Sequence, residues 1–148
     1  MTARPTDVEV GTEIPEQVSR VTRADLVRYA GASGDFNPIH WNERVATEVG
    51  LPGVIAPPTF AIVVSLEAAM SVLQDPDVAL DYSRVVHGEQ RFAHSRPIRA
   101  GDRLVATTTI EAARTVAGND LLTARVDVAT EDGEPVCTAT SMLVARGA

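Results

Sequence analysis

Between Pro57 and Gln74 the chain places Phe60, Ile62, Val63, Val64, Leu66, Met70, Val72 and Leu73. Pro57 and Pro58 suit the first turn of a helix, where a missing N–H costs least, and Asp75 and Pro76 stop it. The apolar residues occupy nearly every face of the predicted helix, so it must be buried on most sides. At ~16 residues it is too short to span a bilayer. Some other part of the chain has to wrap around it.

The wrapper is readable downstream. Leu80 to Ala93, Arg103 to Arg114, Leu121 to Thr130 and Pro135 to Ala145 are rich in Val, Thr, Leu and Ala and are predicted as four strands. RAGD (99–102), AGND (117–120) and EDGE (131–134) separate them at hairpin spacing, which implies an antiparallel meander. A curved antiparallel sheet around one apolar helix is the hot-dog architecture, of the α+β class, and the pattern alone leaves a generic α+β sandwich open beside it. Upstream, Gly11 and Pro15 interrupt residues 8–21, leaving at most a short strand and an edge strand. Thr22 with Asp25 makes a capping box for a helix from Arg23 to Ala32, ended by Gly31 and Gly34. A short helix from Glu43 to Val49 follows, closed by Gly50. The 148 residues are read as one domain, on the usual prior of ~100–200 residues each.

Composition removes several functions. Twenty acidic against 13 basic residues give a formal charge of −7, with no basic patch, which disfavours nucleic acid or an anionic membrane as partner. Every basic residue is Arg; without Lys there is no Schiff base, no attached pyridoxal phosphate and no Walker-type phosphate loop. Cys137 is the only cysteine, which excludes an intrachain disulfide and a Cys-rich zinc site and suits a reducing cytoplasm. No signal-peptide-like or membrane-spanning stretch is predicted, so the expected location is cytoplasmic.

The chemistry concentrates in Gly34-Asp35-Phe36-Asn37-Pro38-Ile39-His40. In a regular helix Asp35 and His40 would point ~140° apart. Gly34 permits an unusual backbone at the entry and Pro38 forces a turn, which lets the two side chains converge. A carboxylate beside an imidazole is the minimal equipment for taking one proton from carbon and giving another to a leaving hydroxyl. Asp35 and Asn37 capping the next turn, with His40 as a partly buried polar residue, is the plainer reading of the same spacing.

GDFNPIHW resembles the G-D-x-N-P-x-H signature of the (R)-specific enoyl-CoA hydratase and MaoC-like dehydratase family, whose members are hot-dog proteins. The resemblance covers residues 8–56. It implies reversible syn addition of water to a trans-2-enoyl thioester, giving a (3R)-hydroxyacyl thioester, with Asp35 and His40 in the catalytic roles. The substrate would be an acyl-CoA or acyl-carrier-protein thioester. No cofactor and no metal are implied, because the thioester itself acidifies the alpha proton. The family's oxyanion contact is a backbone N–H in A-H-G-M at the start of the central helix. This chain has Ala56-Pro57-Pro58-Thr59 instead, and Pro58 has no N–H; Thr59 supplies the next donor.

APPTF, LDYSRVVHGEQRF, RPIRAGD and AGND resemble a different protein, the non-catalytic, acyl-chain-binding subunit of the two-subunit (3R)-hydroxyacyl-ACP dehydratases of actinobacteria. The first third resembles the catalytic subunit. The chain thus reads as a mosaic joined near Gly53 to Ala56, and the resemblance implies either a self-sufficient homodimer or a heterodimer with a paralogous hot-dog subunit. The alternative function is that of a binding subunit without chemistry of its own. A hot-dog thioesterase is disfavoured by the intact GDFNPIH.

Other candidates complete the expected site. Asn37, Thr59 and Ser65 are supporting residues, with Ser65 as a packing residue or a hydrogen-bond partner of His40. Phe60, Arg96 and Arg99 are candidates for substrate binding, the two arginines near a turn where they could meet phosphates. His87 and Glu89 share a predicted strand face, but two side chains are too few for a metal. Cys137 is expected to be a buried structural thiol.

Overall fold

The computed structural model describes residues 5–73 and 82–147. The expected helix stop at Asp75 and Pro76 and the strand start at Leu80 lie outside them. The elements in chain order are β1 (Glu13–Arg20), α1 (Arg23–Ser33), α2 (Glu43–Glu48), α3 (Ala61–Leu73), β2 (Val85–His94), β3 (Arg103–Val116), β4 (Asn119–Thr130) and β5 (Pro135–Ala145). Short 3-10 turns at Pro38–His40 and Pro58–Phe60 lead into α2 and α3. The five strands form one antiparallel sheet in the order β1-β3-β4-β5-β2, with α3 packed on it. This is the hot-dog fold.

The local reasons match the sequence closely at α1 and in the meander. Thr22 caps α1, its Oγ1 accepting from Asp25 N–H while the Asp25 carboxylate accepts from Thr22 N–H, and Gly34 closes the helix in the left-handed conformation at φ +75°. Hydrogen bonds from the Thr22 side chain and backbone hold the Asp25 carboxyl below its usual range. Pro15 lies in edge strand β1, where an absent N–H is tolerated and the register with β3 shifts between Ile14 and Gln17.

Two expectations need correction. RAGD does not join paired neighbours: β2 pairs with β5 at the far edge, so residues 95–102 cross one end of the sheet before β3 begins. The crossover is fixed by Ile98, fully buried, and by backbone bonds from Ser95 N–H to the Val136 carbonyl and from Val21 N–H to the Asp102 carbonyl. Nor is α3 enclosed all round. Ala61, Val64, Ser65, Ala68 and Ala69 face the core, while Val63 is 45% exposed. The apolar residues of α3 therefore divide between the sheet and an outer face. No helix among the described residues is long and apolar enough to cross a membrane.

Candidate active site

The loop between α1 and α2 builds itself from local bonds. Asn37 Oδ1 accepts from Ile39 N–H at 3.2 Å, and Asn37 N–H points at Asp35 Oδ1 at 3.4 Å. Pro38, at the first position of the turn, accepts from the N–H groups of Trp41 and Asn42. The Trp41 indole N–H donates to the Phe36 carbonyl at 3.1 Å, closing the loop across its aromatic residues.

This backbone path turns His40 inward and leaves Asp35 at the surface. The His40 side chain is 4% exposed and that of Asp35 41%, and His40 Nε2 lies 3.2 Å from Asp35 Oδ2. The other ring nitrogen, Nδ1, is 2.7 Å from the Ile55 carbonyl oxygen. A carbonyl only accepts, so Nδ1 carries a proton, and in the neutral ring Nε2 presents its lone pair toward Asp35. One further proton on this pair converts it to imidazolium and carboxylate. The geometry can therefore hold and hand over a single proton beside a half-exposed carboxylate.

At the start of the central helix the arrangement is different. Thr59 is the second residue of the 3-10 turn, a position whose N–H has no partner within the turn. The Tyr29 hydroxyl donates to Thr59 Oγ1 at 2.9 Å, and its ring meets Phe60 edge-on at 5.3 Å between centroids. Because Thr59 Oγ1 accepts from Tyr29, its own proton is free to point elsewhere. His94 Nε2 lies 3.0 Å from the Pro58 carbonyl. Phe60 is buried and forms part of the floor of a cleft of about 490 Å³ between α1 and α3, with Tyr29, Val63 and Val64 beside it and Arg20 and Arg28 in its lining.

Two expected contributors are placed elsewhere. The Arg96 side chain is 14% exposed and fully engaged: its guanidinium donates to both oxygens of Asp102 at 2.8 and 3.0 Å and to Glu134 at 3.1 and 3.3 Å. The bonds to Asp102 raise its pKa further. Arg96 therefore pins the crossover to the β4–β5 turn and has no donor to spare for a phosphate. Arg99 differs: its backbone N–H binds Asp102, its guanidinium has no ion-pair partner among the described residues, and it borders clefts on both sides of Gly101. Ser65 is fully buried and its Oγ has no hydrogen-bond partner, so it does not hold His40; α3 turns it toward the sheet. His87 is bound to Gln90 and Glu89 to Arg91, and no group of three or more candidate ligands for a metal occurs among the described residues.

The Ile55 carbonyl, Tyr29 and His94 were not legible as members of this region. A backbone acceptor leaves no mark in side-chain type. Tyr29 follows Leu26 at helical spacing, which marks it only as part of the helix, and His94 falls one residue past the strand expected to end at Ala93.

Comparison with known proteins bears on the whole chain. Residues 9–139 match the family model described as FAS1-like, dehydratase domain region. A UPF0336 protein of Saccharopolyspora erythraea is 48% identical over 139 residues, 93% of this chain and 89% of that one. An alignment of that length spans Gly53 to Ala56, so both parts of the mosaic align to one continuous chain there. Among solved structures, a MaoC-like dehydratase superposes with a TM-score of 0.84 at 30% identity, covering 97% of this chain and 44% of that one. The HadBC (3R)-hydroxyacyl-ACP dehydratase complex of Mycobacterium tuberculosis superposes with a TM-score of 0.81 at 26% identity, covering 91% and 96%.

Proposed function

The chain belongs to the FAS1-like, dehydratase domain region family, and on that premise we propose that it is a (3R)-hydroxyacyl thioester dehydratase, working in reverse as an (R)-specific 2-enoyl thioester hydratase. The observation that carries this reading is the convergence of Asp35 on His40 Nε2, with Nδ1 tied to a backbone carbonyl. In the hydration direction one member of the pair takes a proton from water as its oxygen bonds to C3. The other delivers a proton to C2, and the C2–C3 double bond becomes single. In dehydration the same protons run backward, and the C3 hydroxyl leaves as water.

The negative charge that develops on the thioester oxygen needs donors. Pro58 offers none, and we assign the task to Thr59, through its N–H and through the hydroxyl proton that Tyr29 leaves available. The substrate is a CoA- or carrier-protein-linked acyl chain, with Phe60 in the wall of the acyl cleft and Arg99, which has no ion-pair partner among the described residues, as the cation for a phosphate. Phe36 at 68% exposed, Trp41 and Val63 leave apolar surface beside the site, and a second copy of the chain is the partner this reading supplies.

A second reading rests on Pro58 alone. Without the usual N–H, the chain would lend its cleft to a catalytic partner. Assaying trans-2-enoyl-CoA hydration with the purified protein alone separates the two. Turnover that is lost in Asp35→Asn, from a species of twice 15.7 kDa by light scattering, supports the enzyme. Turnover only on adding a paralogous subunit supports the binding role.

A further inference from the structure

We infer that Glu43 is a positioning residue for His40, acting through the backbone of Val54 and Ile55; the inference deepens the reading of His40 as a proton-transfer group and rests on it. Three consecutive residues opposite the catalytic loop make four bonds, alongside an antiparallel bridge of Ile55 to Arg99. Val54 N–H donates to Glu43 Oε2 at 3.3 Å. Ile55 N–H donates to the Ile39 carbonyl at 3.2 Å, and the Ile55 carbonyl accepts from His40 Nδ1 at 2.7 Å. Ala56 N–H donates to the Ile98 carbonyl at 2.7 Å. Two of the four, those of Ile55 N–H and Ala56 N–H, run between backbone groups, and a third is the His40 contact itself. The Val54 bond is the one made by a different side chain.

An acid in the first turn of α2 would favour the helix dipole wherever it pointed. That does not account for Glu43. Asn42 already caps α2 by accepting from Val45 N–H at 3.2 Å, and the Glu43 carboxylate reaches off the helix to the 53–54 backbone. Gly53 makes room for it: a Cβ built there would stand 2.7 Å from Glu43 Oε1. Arg23 holds the same carboxylate from the other side, 4.0 Å from Oε2, and reaches the Trp41 carbonyl at 3.5 Å. The ion pair is too exposed to contribute much stability, but through Arg23 it links the carboxylate to the start of α1 and to the Trp41 carbonyl. Gly53 and Glu43 thus form a matched pair across the stretch where the two sequence resemblances meet.

The consequence falls on the His40 ring. Which nitrogen carries the proton is set by the bond the other nitrogen makes. While the Ile55 carbonyl stays at Nδ1, Nε2 keeps its lone pair free to take a proton. If the 54–55 segment drifts, the tautomer with the proton on Nε2 gains population and the base is blocked.

The test uses the full chain, uniformly labelled for imidazole ¹⁵N spectra, with steady-state hydration of a 2-enoyl-CoA as second readout. Glu43→Ala is expected to convert the His40 ring from one species protonated at Nδ1 to a mixture, and to lower kcat about tenfold with KM within about twofold, as for a misplaced reacting group. Glu43→Gln keeps an oxygen that accepts from Val54 N–H and should preserve the spectrum, with kcat within about threefold of the wild type. Gly53→Ala leaves Glu43 in place but displaces its carboxylate, and should reproduce Glu43→Ala, though it also strains the backbone at φ +158°; Glu43→Asp, too short to reach Val54 N–H, carries the comparison if Glu43→Ala does not fold. A folded Glu43→Ala or Gly53→Ala protein with the wild-type His40 spectrum overturns the inference at any level of activity. So does a Glu43→Gln protein as impaired as Glu43→Ala, because charge rather than the hydrogen bond would then be acting. If the spectra change as expected while the wild type shows no hydration, the positioning stands and the assignment of function fails.

Discussion

The loop at residues 34–42 and the helix start at residues 56–60 present their polar groups to the candidate site by opposite means. In the loop, bonding partners lie within a few residues of one another and the groups proposed to transfer protons are side chains. At the helix start the useful donor is a backbone N–H, Pro58 has removed one, and the supporting contacts come from Tyr29 and His94, 30 and 36 positions away. Chemistry carried by side chains on a locally bonded turn is written in a short string. Chemistry carried by backbone groups is completed by residues that only tertiary structure brings near.

The sharpest way to break this contrast is at the dyad. Asp35→Asn and His40→Ala should each lower enoyl-CoA hydration by on the order of 10²-fold or more while Tm stays nearly constant, as expected of general acid–base groups. Wild-type rates in either would remove the loop from the mechanism. Next in size is Arg96→Ala, which breaks a largely buried ion pair and should cost about 3 kcal/mol of unfolding free energy in urea titration. Because Arg96 backs the crossover that binds Ala56, amide exchange should rise at Ala56 before it rises at Asn42. Equal loosening of both regions would erase the distinction between them.

Changes at the helix start should be milder. Pro58→Gly, which returns an N–H, is expected to raise turnover ~10-fold, and Thr59→Ala to lower it by a similar ~10-fold factor. If neither substitution moves kcat, the thioester oxygen finds its donors elsewhere. The smallest effect is a control far from both regions. Ala117 sits at φ +49° beside Gly118 at +78° in the β3–β4 turn, a conformation that costs a residue with a Cβ. Ala117→Gly should stabilise the protein by about 0.5–1 kcal/mol in thermal melts without changing kcat. A changed kcat would mean that global stability, rather than local geometry, limits the enzyme.

The same division explains what the amino-acid sequence made legible. Strands β3 to β5 are read to within a residue or two because their turn residues and alternating positions are neighbours in the chain, and β5 runs from Pro135 to Ala145 as expected; the strand expected from Leu80 instead begins at Val85, after a 3-10 turn at Tyr82–Arg84. The convergence of Asp35 and His40 is legible for the same reason. RAGD has the composition of a hairpin turn, and nothing local distinguishes a turn between paired strands from one at the end of a crossover. Arg96 looked available because Asp102 and Glu134 belong to different turns, and their meeting depends on that crossover. Ser65 reads as a packing residue or a hydrogen-bond partner of His40, and its full burial without a partner fits the packing alternative. Cys137 is buried in β5, where burial pushes the thiol up from its usual range, in keeping with the buried thiol expected there.

The sheet order carries a consequence for how the molecule comes into being. Strands β3, β4 and β5 can zip together from adjacent chain segments, whereas Val85 must find Ala145 and His94 must find Cys137 across the whole intervening meander. Closing loops of that length slows pairing, so β2 joins an already formed meander. Only then does the 95–102 crossover lie along the sheet end, ready to receive Ala56, with Ile55 beside it to meet His40. Proton-transfer geometry is therefore expected to form after the meander rather than with it. Pulsed hydrogen exchange should find amides of β4 protected ahead of that of Ala56, and a chain arrested between the two would carry the β3–β4–β5 meander and an imidazole with no fixed tautomer.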